Sequence, residues 1–279
     1  MKHLKSTLNS PAWRNAALAC AAVAVLASPA AQAQEIKLGG SGAALGTMQL
    51  LAQAYVKARP GNQVTVLPSM GSGGGIKAVL AGAIQIGLSS RPLSEAETQG
   101  GAVAQEYGRT PFIFATATAN AASAITSQAL VDYYAGTVQQ WPDGSPLRLV
   151  LRPIGDSDTE TLKQMSPAMR QATLAAEQRK GMIFAVTDQD TASSLEKTPG
   201  SLGPSTLAQL LSEKRSLKAL ALDGVMPSAA NLANGRYPMF KRMLLVTGPK
   251  TSAEALAFTA FVRSASAQDI LRQTGHWVQ

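Results

Sequence analysis

Three short stretches rich in glycine and serine each stand where a strand gives way to a helix. They are Gly40-Ser41-Gly42-Ala43-Ala44, Gly71-Ser72-Gly73-Gly74-Gly75 and Gly155-Asp156-Ser157-Asp158-Thr159. The chemistry such a pattern offers is anion binding. The first N–H groups of a helix have no partner within it and carry a partial positive charge. Glycine lets a ligand approach the backbone, and serine adds a hydroxyl. A Ser, Thr or Asp before a helix is also an ordinary N-cap, so one loop alone decides nothing. Three of them at strand ends, with Arg91 and Arg152 alongside, point to an oxyanion site.

Residues for covalent or metal chemistry are scarce. The cysteine, Cys20, lies in the N-terminal apolar run, and His276 stands near the C-terminus. Downstream of that run there is no Cys–His pair, no usual zinc ligand set and no Ser–His–Asp triad. Ser194-Leu195-Glu196-Lys197 matches the bare S-x-x-K pattern, but its companion motifs S-D-N and K-T-G are absent. No Gly-Lys-Ser/Thr follows residues 71–75, and Ile76 breaks a G-x-G-x-x-G fingerprint. The expectation is a binding protein with no metal, no cofactor and no catalytic activity. His276 reads as a packed or solvated side chain.

The elements that must position these loops alternate. Strands are expected at 35–38, 63–67, 84–88, 110–117, 147–151, 218–222 and 241–246. Helices are expected at 45–58, 76–83, 127–135, 159–180 with a break at Ser166-Pro167, 188–198 and 252–272. Strand, Gly/Ser loop, helix, strand is the pattern of βαβ units in a parallel sheet, which makes the fold class α/β.

The chain has 279 residues, of which 46% are hydrophobic, 15% charged and 5% aromatic. That composition is globular and excludes a fibrous protein, a disulfide scaffold and a multi-span membrane protein. Residues 1–14 carry Lys2, Lys5 and Arg14 and no acid; residues 16–27 are apolar, and Ala31-Gln32-Ala33 is a small-x-small cleavage signal. This order predicts a signal peptide at 1–33, cut after Ala33, and hence an exported, periplasmic protein. The net charge of +8 suits an anionic ligand. Without a basic run or interleaved aromatics, nucleic acid is not expected as a partner.

Taken together, these stretches resemble the phosphate-binding periplasmic proteins of ABC transporters, within the type II periplasmic binding proteins. The resemblance covers nearly all of 35–279. It is carried by Gly40-Ser41-Gly42, by residues 71–77, by Ile86-Gly87-Leu88-Ser89-Ser90-Arg91-Pro92-Leu93-Ser94, by Tyr134-Ala135-Gly136 through Trp141, and by Gly235-Arg236-Tyr237-Pro238. The resemblance implies two α/β lobes joined by two crossover hinge segments. Lobe one would be 35–112 and 224–279, and lobe two 113–223, with ligand held between them.

Carried over by position, Ser41 with the N–H groups of Ala44 and Leu45 would hold one side of phosphate or a similar oxyanion. Ser72 with the N–H of Gly73 would hold another, and Ser90 or Arg91 would line the cleft. From lobe two, Arg152 would pair with the anion, and Ser157 and Thr159 would donate to it. The implied partner is an inner-membrane ABC permease or a sensor protein, and the implied state is a monomer. A ligand-presenting sensory protein and a periplasmic hydrolase are the alternatives.

The chain departs from the family pattern in three places. Ala44-Leu45 lacks a threonine hydroxyl, and Ser90 stands where some phosphate binders place an acceptor Asp. The loop after Arg152 is longer and carries Asp156 and Asp158. Either those carboxylates cap the helix, or one faces the ligand and accepts the proton of HPO4²⁻, which sulfate lacks.

Overall fold

The computed structural model describes residues 35–278; the expected leader lies outside them. Strand β1 (Glu35–Gly40) runs through a 3-10 turn (Gly42–Ala44) into α1 (Leu45–Ala58). Then come β2 (Gln63–Val66), α2 (Gly71–Ala81), β3 (Ile86–Ser89), α3 (Glu95–Gln99) and the long β4 (Val103–Ala117). The middle of the chain holds β5 (Ala124–Ile125), α4 (Ser127–Ala135), β6 (Arg148–Leu151), α5 (Ser157–Met165), α6 (Pro167–Gln178), β7 (Ile183–Phe184) and α7 (Asp188–Lys197). The last part holds β8 (Ser201–Thr206), α8 (Leu207–Ser212), β9 (Leu217–Ala219), β10 (Ala221–Leu222), α9 (Ala229–Ala233), β11 (Phe240–Thr247), α10 (Ala253–Val262) and α11 (Ala265–Gln273).

One mixed sheet runs in the order β2-β1-β3-β11-β4-β8-β6-β7, with β9 also paired to β4. β1, β2 and β3 are parallel, as are β6, β7 and β8. β11 is antiparallel to both β3 and β4. β4 is long enough to serve two hydrophobic cores. Its Tyr107 joins Ile36, Met48, Tyr55 and Phe258 under α1, α10 and α11. Farther along, the period-2 alternation of a strand sends Phe112 and Phe114 into a cluster with Tyr134, Trp141 and Leu162. Ile113 and Ala115 face the opposite way, into a cluster with Leu195 and Leu210 under α7 and α8.

The expected break at Ser166-Pro167 is present: Ser166 caps α6 and Pro167 is its first residue. The predicted final helix is two, parted at Arg263 and Ser264, and Ser264 caps the second. β8 is not among the expected strands, and its Gly203 and Pro204 are residues that central strands disfavour. Its partners explain why it forms. Pro204 lies opposite Phe114, whose carbonyl accepts a hydrogen bond from Leu220 N on its other edge. β6 pairs with β8 only at Ser201 and Leu202. The missing proline N–H therefore leaves no ladder bond unmade.

Candidate anion-binding site

β1 and β3 run side by side in register, Gly40 beside Leu88, and so end together. Ser41 follows the first strand and Ser90 closely follows the second. Ser41 N donates to Leu88 O at 2.9 Å, and Met70 N to Gly40 O at 3.1 Å, which brings the start of α2 to the same place. That approach needs Gly75, since a Cβ there would lie 2.7 Å from Gly39 O. From the other core, β6 delivers Arg152 and the N-terminus of α5, and β7 delivers the N-terminus of α7. Helix N-termini at the carboxyl ends of parallel strands are where an α/β sheet binds ligands.

Four serine hydroxyls converge there. Ser90 Oγ lies 3.2 Å from each of Ser41, Ser72 and Ser157 Oγ. Ser90 N donates to Ser72 Oγ at 3.0 Å. Ser41, Ser72 and Ser90 are buried. No side chain caps α2, so its first N–H groups, Gly73 among them, have neither an intrahelical partner nor a cap beside those hydroxyls.

Two cations and three carboxylates stand behind the serines. Lys241 Nζ donates to Ser157 Oγ at 3.0 Å and is 2.6 Å from Asp158 Oδ1. The Arg152 guanidinium forks onto Asp156, Nε to Oδ1 at 3.2 Å and Nη2 to Oδ2 at 2.9 Å. It also lies 3.8 Å from Asp158 Oδ2 and 3.7 Å from Asp188 Oδ2. Burial opposes the charge of Arg152, but Asp188, Asp158 and Asp156 more than offset it and hold its pKa above the ordinary value. At Asp188, burial together with the negative charge of Asp158 outweighs the attraction of Arg152 and pushes the carboxyl up to about 7.

Not every residue expected at the site points into it. The Ala44 N–H donates to Ser41 O at 3.2 Å and the Leu45 N–H to Gly42 O. The entry to α1 is a 3-10 turn, so it consumes the two N–H groups assigned to the ligand. Arg91 turns away beside Gly73 and grips Glu97 of α3 with both Nη atoms, at 2.9 and 2.7 Å. Thr159 spends its hydroxyl on Arg152 O and Pro153 O. Asp156 caps α5 by accepting from Asp158 N at 2.9 Å. Asp158 is the carboxylate that faces inward, buried between Lys241 and Arg152.

Two site residues are absent from the sequence reading. Lys241 shares its strand face with Met243, and a lysine at an inward position of an apolar strand was the available signal. Asp188 lies at the start of α7, a place where an acid usually signals only the helix dipole. Its role depends on Gly42, across the site, where a Cβ would sit 2.5 Å from Asp188 Oδ2. His276 is buried against Tyr107, far down the chain from these loops. Among the described residues no His, Cys, Asp and Glu cluster is placed to hold a metal ion.

Residues 26–266 match the family model described as the PBP superfamily domain. The phosphate-binding protein PstS of Bacillus subtilis is 25% identical over 243 residues, covering 84% of this chain and 76% of that one. Among solved structures, a Clostridium perfringens protein described as a candidate phosphate ABC transporter substrate-binding protein, with phosphate bound, has a TM-score of 0.75 at 20% identity. The match covers 88% of this chain and all of that one. An ABC-type phosphate transport receptor from Vibrio cholerae has a TM-score of 0.61 at 20% identity, covering 88% and 100%. The chain belongs to the PBP superfamily and has the α/β fold of the type II periplasmic binding proteins.

Proposed function

We propose that this chain is an exported solute-binding protein that captures inorganic phosphate, or a related tetrahedral oxyanion, and delivers it to an inner-membrane ABC permease. The observation that carries this reading is the meeting of Ser41, Ser72, Ser90 and Ser157 hydroxyls beside the uncapped N-terminus of α2. Hydroxyls and helix N–H groups are donors that suit an oxyanion with several acceptor oxygens. The curated relative is named a phosphate-binding protein, and one structural neighbour carries bound phosphate.

In this reading the lobes are 35–112 with 224–279, and 113–223. The Ser90–Ser157 and Lys241–Asp158 contacts lie where they close. The protein acts in the periplasm as a monomer and performs no catalysis. Asp158, facing inward, accepts the proton that phosphate retains, so phosphate is preferred to sulfate.

Thermal unfolding of anion-stripped protein against phosphate, sulfate, arsenate, molybdate and carboxylates tests this. A ligand at about 100 times its Kd adds about 2.7 kcal/mol, a rise of a few degrees for a protein of this size. A rise with phosphate and none with sulfate is expected. No rise with any tetrahedral oxyanion overturns the reading.

A further inference from the structure

Arg152 is the residue that the family resemblance implies would meet the anion, yet four of its five N–H donors are already taken. Nε and Nη2 fork onto Asp156. Nη1 donates to Ala185 O at 2.9 Å and approaches Thr191 Oγ1 at 3.4 Å. Nη2 also faces Asp188 Oδ2 at 3.7 Å. A guanidinium has five N–H donors; four are bonded to protein acceptors, and the fifth faces the Asp188 carboxylate at 3.7 Å. It ties the ends of β6 and β7 to α5 and α7, and a ligand would have to displace Asp156, which also caps α5.

Lys241 is placed otherwise. It is buried, 2% exposed, and its ammonium lies 5.4 Å from the centre of the Phe112 ring. Ser157 Oγ accepts from Lys241, which leaves the Ser157 O–H to donate toward Ser90, the hub of the hydroxyl cluster. The ammonium thus stands one hydroxyl away from that hub, and it has three donors of which the protein engages Ser157 and Asp158.

On the reading above, we infer that Lys241, and not Arg152, supplies the positive charge that the bound oxyanion meets. Lys241 also fixes the direction of the Ser157 O–H. It reaches the site from β11, which enters the sheet between β3 and β4. Asp158 then has a second duty beside its acceptor role: it holds the ammonium at the site and shares it with the anion.

The test compares phosphate binding, by calorimetry on anion-stripped protein, in the wild type and four variants, Asp158→Asn among them. Lys241→Met alone strands a buried Asp158 and is prone to unfold. The double variant Lys241→Met with Asp158→Asn removes both charges and keeps the interior neutral. Lys241→Arg keeps the charge. The double variant is expected to keep its cooperative unfolding and to bind phosphate at least about tenfold more weakly than Asp158→Asn, which lacks the same carboxylate acceptor but keeps the ammonium. Lys241→Arg is expected to retain binding within about threefold, since it keeps the positive charge beside the hydroxyl cluster. Binding by the double variant within about twofold of Asp158→Asn, where the wild type binds phosphate, overturns the inference and leaves the proposed function standing. A wild type that binds no tetrahedral oxyanion overturns both.

Discussion

Lys241 Nζ stands 2.6 Å from Asp158 Oδ1, with both side chains almost wholly removed from water. The pair joins β11 to the first turn of α5, elements far apart in the chain. A buried ion pair adds little over a well-packed apolar pair, but losing one partner costs about 3–5 kcal/mol because the other charge is left alone. The pair stands beside Ser157 and the serine cluster, at the candidate binding site as well as in the core.

Asp158→Asn is therefore expected to do two things. Thermal unfolding near neutral pH should show a loss of about 3 kcal/mol, from the unpaired Lys241. Binding measurements should show the preference for phosphate over sulfate reduced, because an amide does not accept the phosphate proton as a carboxylate does. Asp156→Asn is the comparison: it loosens the α5 cap and the Arg152 fork but keeps the preference. If Asp158→Asn keeps the preference too, this carboxylate does not face the ligand.

Gly42→Ala tests how closely the two sides of the site approach. An added Cβ would lie 2.5 Å from Asp188 Oδ2 and 2.6 Å from Gln189 Oε1. Gln189 Nε2 also donates to Gly42 O at 2.9 Å. Overpacking of this kind costs about 1–3 kcal/mol, and here it falls on the contact between the 3-10 turn and α7. The expected result is weaker phosphate binding together with a lower unfolding temperature. Unchanged affinity would mean that this contact does not set the bound state.

The loops, their strand–helix context and the α/β class were legible because glycine and serine announce them locally. Residues 71–75 have the composition of a loop before a helix, yet α2 begins at Gly71. Glycine's low helix propensity hid a first turn that the packing against Gly39 and Gly40 imposes. The family resemblance implies Ser41, Ser72, Ser90 and Ser157 at the site, and three of the four lie in those loops. Lys241 and Asp188 were not legible in this way, because their meaning comes from register and from contacts across the sheet. Lys241 stands opposite Thr110 in the ladder, and no spacing along the chain brings it to Ser157. The same holds for the acids around Arg152: Asp156, Asp158 and, on α7, Asp188 gather about it only in the folded protein.

Arg91→Ala separates adjacency in sequence from presence in the site. Its guanidinium pairs with Glu97 and holds the Glu97 carboxyl down to about 2. The Arg91 side chain is about one-third exposed, so the pair contributes no more than about 1 kcal/mol. The variant is expected to lose a little stability at the start of α3 and to keep its phosphate affinity within about twofold. Ser72→Ala, which removes a hydroxyl of the cluster and the acceptor of Ser90 N, is expected to weaken binding far more. Equal losses in the two variants would return Arg91 to the site.

Asp188 makes stability depend on pH in a direction that can be worked out. Burial first, with Asp158 adding to it and Arg152 opposing, raises its carboxyl from an ordinary 3.8 to about 7 in the folded protein. The charged groups around it are Arg152 after β6, Asp156 and Asp158 at α5, and Lys241 on β11. Between those two values the folded chain keeps a proton that the unfolded chain has released. The stabilisation is full below about pH 4 and is lost as the pH rises through about 7. His276 acts in the opposite sense. Burial lowers its pKa to about 4, so its contribution is present above about pH 6.5 and is lost as the pH falls toward 4. Comparison with Asp188→Asn cancels the histidine, which both proteins share. The expected difference is that the wild type loses unfolding temperature from about pH 4 to about pH 7 relative to the variant, whose profile is flatter. Parallel profiles would show that Asp188 carries its charge throughout this range, with Arg152 outweighing the cost of its burial.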